Sequence, residues 1–136
     1  MNRDFSFNTT IMIQSDLEII AKFSRPIVLV GMMGAGKTTL GKALAASLGW
    51  DFVDSDEEIV RTSGMSIAQF FEEKGEASFR TLEREVLETL LKQGPPLQVI
   101  STGGGAFAQE ETAKVLLQNS LCVWLDSPVD LLFERT

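Results

Sequence analysis

Apolar residues in this chain form two kinds of run, short blocks and longer helical stripes, and the two alternate from Pro26 onward. Ile27-Val28-Leu29-Val30 reads as a strand, followed by an amphipathic helix over 37–48 that Gly49 stops. A short strand at 51–53 leads to a helix near 57–63, stopped by Gly64. Ser66 and Gln69 have capping-box spacing and open a helix over Ile67–Lys74 that ends at Gly75. Glu76–Gln93 is a long helix with Phe79, Leu82, Val86 and Leu90 on one stripe, broken by Gly94-Pro95-Pro96. A strand at 97–101, the run Gly103-Gly104-Gly105, a helix at 109–118 and a strand at 121–125 follow. A last helix starts from Pro128, which suits the first helical position after Ser127.

Strands separated by helices imply an α/β domain, a parallel sheet covered by helices on both faces, over 26–136. Residues 1–25 read as an extension. Ser15-Asp16-Leu17-Glu18 has capping-box form, and Leu17, Ile20 and Phe23 can share one face of a short helix there, a packing accessory.

In open parallel sheets, ligands bind beyond the carboxyl ends of the strands. After the first strand comes Gly31-Met32-Met33-Gly34-Ala35-Gly36-Lys37-Thr38, the spacing of a phosphate-binding loop. Its glycines let backbone N–H groups turn toward phosphate oxygens, Lys37 brings a point charge, and Thr38 offers a hydroxyl to Mg²⁺. Beyond the second strand lies Asp54-Ser55-Asp56, two carboxylates able to hold metal waters and accept a proton, or else an acidic helix start shared with Glu57 and Glu58. Beyond the third come Thr102 to Gly105, whose three glycines leave main chain bare for a substrate to approach. Arg80 and Glu83 are helical neighbours, with Glu76 a turn earlier. They form either a surface ion pair or an arginine oriented toward an anion. Leu121 to Asp126 also fits a loose apolar strand ending in a metal aspartate, although Asp126 equally caps the helix at Pro128.

With 136 residues, 44% of them hydrophobic, the chain has material for one core. A net charge of −7 with scattered Lys and Arg argues against nucleic acid, and no apolar stretch is long enough for a membrane. The lack of a secretory core near the N-terminus and the single cysteine, Cys122, make the cytoplasm the expected compartment. Cys122 itself reads as a buried strand residue. No histidine is present, so proton transfer falls to a carboxylate, a lysine or water.

Together, GMMGAGKTT at 31–39, DSD at 54–56, SFRTLE at 78–83 and STGGGA at 101–106 resemble the shikimate kinase family, from about Pro26 to Thr136. The resemblance implies a P-loop kinase of nucleoside-monophosphate-kinase-like fold that moves the ATP γ-phosphoryl to the 3-hydroxyl of shikimate. Mg²⁺ and ATP would be required, a monomer would suffice, and neither nucleic acid nor membrane would take part. By motif, Gly34, Ala35, Gly36, Lys37, Thr38 and Thr39 look like the ATP-binding set, with Arg135 similar to the arginine stacked on adenine. Asp54 with Thr38 resembles the metal site. Asp56 resembles the substrate carboxylate and base, Arg80 the grip on the acid with Glu83 behind it, Phe71 the pocket aromatic, and Gly103, Gly104 and Gly105 the substrate loop. The family pattern continues past Glu134-Arg135-Thr136 into a lid, a final strand and a helix, with a lid arginine and a further substrate arginine. A chain ending at Thr136 is therefore expected to bind nucleotide weakly and turn over slowly. The rival expectations are a gluconate-type kinase and a silent nucleotide-binding module.

Overall fold

The computed structural model describes residues 25–31 and 36–125. Strand β1 (Ile27–Gly31) is buried along its whole length and lies between two parallel neighbours. The other strands are β2 (Asp51–Asp54), β3 (Gln98–Ser101) and β4 (Leu121–Leu125), in the order β2-β3-β1-β4. Every pairing is parallel, as expected from helices inserted between strands.

Alternation along β1 explains why its apolar run is unbroken. Ile27 and Leu29 face one side with Val99 and meet Leu40, Leu44 and Ala45 of helix α1 (Lys37–Leu48). Val28 and Val30 face the other side with Ile100. There they meet Leu87 of helix α3 (Ile67–Gln93) and Leu116 of helix α4 (Glu110–Asn119). A strand buried on both faces needs apolar residues at successive positions, each side chain contributing about 1.5–3 kcal/mol of burial. A third cluster joins Ile59 of helix α2 (Ser55–Ser63) to Phe70, Phe79 and Val86 of α3.

Most expected boundaries agree within two residues. Helices end at Gly49 and Gly64 as expected, and α3 is broken at Gly75, whose dihedrals are 88° and 169°. Strands β1 and β2 each run one residue further than expected, to Gly31 and Asp54, and three other elements shift as well. The helix expected near 57–63 begins at Ser55, because the Asp54 carboxylate caps it two residues earlier. The strand expected at 97–101 begins at Gln98, whose amide donates to the carbonyls of Leu90 and Pro95. The helix expected at 109–118 spans Glu110–Asn119. The helix expected in the extension, the helix from Pro128, and Asp126 lie outside the described residues. Among the described residues no helix is long and apolar enough to cross a membrane.

β1 ends at a backbone approach only glycine tolerates. Gly31 has φ 138°, and a methyl group there would stand 1.9 Å from the Leu125 carbonyl oxygen on β4. Gly31→Ala should therefore lower unfolding free energy by roughly 2–5 kcal/mol, from backbone strain plus overpacking. Urea denaturation measures this, and an unchanged midpoint would contradict so close a contact between β1 and β4.

Candidate active site

Register brings three strand ends to one level. Leu29 pairs with Ser101, and Ser101 pairs with Asp54, so the residues that follow all emerge at the same edge of the sheet. They enclose a cavity of about 240 Å³ lined by Gly36, Lys37, Thr38, Thr39, Asp54, Asp56, Ser101, Thr102, Gly103 and Gly104.

Lys37 opens α1 and is buried, with its ammonium donating to the Gly31 carbonyl at 3.1 Å. Burial lowers its pKa, while the charges of Asp56 and Asp54 act to raise it. Asp54 divides its carboxylate between two tasks. Oδ1 accepts the N–H groups of Asp56 (2.9 Å) and Glu57 (3.4 Å), and Oδ2 accepts the Thr38 hydroxyl at 3.5 Å. The acidic run is thus a helix start, with one Asp54 oxygen capping α2, while the other faces Thr38 at the end of the phosphate loop.

Asp56 sits on the first turn of α2 with its carboxylate against Gly103. Burial raises its pKa, Asp54 raises it further, and Lys37 and Arg80 pull it down. A carboxyl held above its usual range between two cations suits a group that must take up a proton and release it.

Arg80 stands beyond the cavity lining, on α3. Its Nη1 donates to Glu83 Oε1 at 2.9 Å, its Nε lies 3.8 Å from Glu76 Oε2, and its guanidinium carbon is 5.3 Å from the Phe79 ring centre. Glu83 is only 1% exposed and Glu76 is 68% exposed. The pair with Glu83 is therefore an interior one, and only the Glu76 contact is a surface pair. Burial raises the Glu83 pKa, opposed by the hydrogen bond and charge of Arg80. An arginine fixed by a buried carboxylate on one amino group leaves the rest of its fork directed by that contact.

Phe71 also lies outside the cavity lining, stacked on Phe79 with ring centres 4.6 Å apart. It reaches the site through the ring that carries Arg80. Gly105 borders Arg80, away from the cavity. Gly34, Ala35 and Arg135 lie outside the described residues. Cys122 is half-buried on β4, at the edge of the described sheet, 3.6 Å from the Ser120 hydroxyl oxygen, and burial raises its thiol pKa. It lies at the amino end of β4, away from the carboxyl ends that border the cavity.

From the sequence Thr102 is only the first residue of the run Thr102 to Gly105 beyond the third strand, with no role of its own. It is buried in the cavity wall, and both its N–H (3.2 Å) and its hydroxyl (2.9 Å) donate to the Leu29 carbonyl. This fastens the glycine run to β1 just before the phosphate loop. A threonine at the exit of a strand, directly ahead of glycines, was the available signal.

Among the described residues no group of three or more His, Cys, Asp or Glu side chains could hold a metal alone. A hydroxyl and a carboxylate oxygen facing each other match a hard cation that keeps waters and phosphate oxygens as its other ligands, as Mg²⁺ does.

Residues 33–136 match the family model described as shikimate kinase. The shikimate kinase of Rhizobium leguminosarum bv. trifolii is 48% identical over 112 residues, 82% of this chain and 56% of that protein. That of Novosphingobium aromaticivorans is 45% identical over 131 residues, 94% of this chain and 68% of that protein. A solved shikimate kinase from Acinetobacter baumannii, in complex with shikimate, superposes with a TM-score of 0.72 at 45% identity, covering 85% of this chain and 65% of that one. The enzyme from Aquifex aeolicus gives 0.70 at 44% identity, covering 82% and 65%. The chain thus spans between about half and two thirds of the length of these relatives. On the family model, the identities and the shared sheet, the chain belongs to the shikimate kinase family.

Proposed function

We propose that the protein transfers the γ-phosphoryl group of ATP to the 3-hydroxyl of shikimate. One observation carries this reading: a single cavity joins the buried ammonium of Lys37, the Thr38–Asp54 pair and the carboxylate of Asp56, with the Arg80–Glu83 pair behind the glycine run. The first two of these groups suit a nucleotide's phosphates and the last two a hydroxylated acid. The relative from Acinetobacter baumannii, solved with shikimate, supports the choice of acid.

In this reading Gly34, Ala35, Gly36, Lys37, Thr38 and Thr39 hold the phosphates, and Arg135 packs on the adenine. Thr38 and Asp54 would hold Mg²⁺, which when bound neutralises phosphate charge. Asp56 orients the acceptor hydroxyl and takes its proton. Arg80 grips the shikimate carboxylate, with Phe71 and Gly103, Gly104 and Gly105 completing that side. Phosphoryl transfer needs positioning and charge stabilisation more than covalent chemistry, and these groups supply both. We assign this kinase domain to 26–136 with residues 1–25 as an extension, acting in the cytoplasm. We also take the enzyme to act as a monomer.

Calorimetry with shikimate, ATP and GTP, paired with a coupled ADP-release assay, tests the proposal. Shikimate-dependent ADP release is expected. Nucleotide binding without any response to shikimate would favour a silent module, and release with gluconate alone a gluconate-type kinase. Arg80→Lys should raise the shikimate KM about tenfold or more and leave that for ATP unchanged, since a planar fork binds a carboxylate at two points and an ammonium at one. An unaltered shikimate KM would remove Arg80 from recognition.

A further inference from the structure

Gly103 and Gly105 flank the exposed Gly104 at the exit of β3, yet backbone conformation does not require glycine at either position. Gly105 has φ −106° and ψ 3°, which other residues adopt, and Gly103 is not among the described glycines of positive φ. What sets them apart is space. A methyl group on Gly103 would stand 2.9 Å from Asp56 Oδ1 and 3.3 Å from Oδ2. On Gly105 it would stand 2.7 Å from Arg80 Nη2 and 3.1 Å from Nη1.

We propose that Gly103 and Gly105 are positioning residues, kept bare so that the Asp56 carboxylate and the Arg80 guanidinium can lie flat against the main chain of the loop. This rests on the roles proposed above for Asp56 and Arg80 and adds how their positions are set. Neither side chain has an easy retreat. The Arg80 guanidinium is bonded to buried Glu83 at 2.9 Å and packed near the Phe79 ring. To give way to a methyl group it must loosen that bond, leaving a buried carboxylate poorly paired. Asp56 is fixed at the start of α2, where its N–H is held by Asp54. A displaced carboxylate there leaves the direction in which it faces Lys37. The fold itself should survive, because the atoms in the way are side-chain ends rather than backbone.

A competing explanation is that glycine is needed only so that substrate can approach the loop's backbone N–H groups. Double-mutant cycles separate the two. Gly105→Ala should weaken shikimate binding roughly tenfold by calorimetry, with ATP binding unchanged, because small misplacements at a site have effects of that order. In an Arg80→Lys background, which lacks the fork that the methyl group meets, Gly105→Ala should add almost nothing. The urea midpoint should follow the same pattern, falling for Gly105→Ala beside Arg80 and not beside lysine. Gly103→Ala should lower kcat in the intact protein and lower it no further in an Asp56→Ala background.

Equal losses in both backgrounds would overturn the proposal and favour backbone approach; normal shikimate affinity in Gly105→Ala beside weakened affinity in Arg80→Lys would overturn it as well. The urea cycle reads the steric coupling whatever the site binds. If it shows coupling while Arg80→Lys leaves shikimate binding intact, the positioning role stands and only the substrate assignment fails.

Discussion

Lys37→Ala should lower kcat about a thousandfold or more, since transfer of a phosphoryl group relies on charge placed where it develops. Two features of the structure enlarge the effect. The ammonium is buried, so its field toward the phosphates is little screened by solvent. It also holds down the pKa of Asp56, so removing it makes that carboxylate harder to ionise. The variant should therefore lose rate and shift its acid limb upward in pH. Coupled ADP release across a pH series reads both. Near-normal turnover would mean that this loop does not hold the transferred group.

Asp56→Asn should depress kcat roughly 10²–10⁴-fold, the usual span for a lost general base, while ATP binding changes little. The sign of the pH dependence follows from the raised pKa. The base works ionised, so activity should fall as pH drops through a value above the ordinary aspartate range. Asparagine should abolish that limb. Stability should move the other way. A carboxyl with a raised pKa in the folded state destabilises the fold above its unfolded pKa, so at neutral pH the charge works against folding. Asp56→Asn should therefore melt at the same temperature or higher while losing activity. Equal losses in rate and ATP affinity would instead assign Asp56 to the metal.

Much of the fold could be read from the residues because a two-face-buried strand and a helical stripe leave different marks. Ile27 to Val30 and Phe79 to Leu90 are examples. Strand order could not be read, since the position of β3 between β2 and β1 depends on how crossovers pack. At the site, the lysine and carboxylates followed from spacing, but their environment did not. Glu83 is interior only because α3 lies over α2 and the turn at Ala106–Ala108, a tertiary fact invisible in an i, i+3 pattern. Likewise, Asp54 could be weighed as cap or metal group, whereas a carboxylate with one oxygen on the helix start and the other on the Thr38 hydroxyl appears only in three dimensions. Cys122 was expected to be buried and is half-buried, because its strand lies at the edge of the described sheet.

The fastening of Thr102 to Leu29 has a consequence for how this cavity comes into being. These partners lie 73 residues apart, and β1 can meet β3 only after the intervening α1, β2, α2 and α3 have been gathered in. Closing so long a loop is paid in entropy before the ladder returns anything, which places such pairings late on a folding route. Local helices can form and dissolve without either ligand half being built. The glycine run and the start of the phosphate loop therefore acquire their mutual geometry only when β1 and β3 pair, so the cavity forms with the sheet itself and not ahead of it.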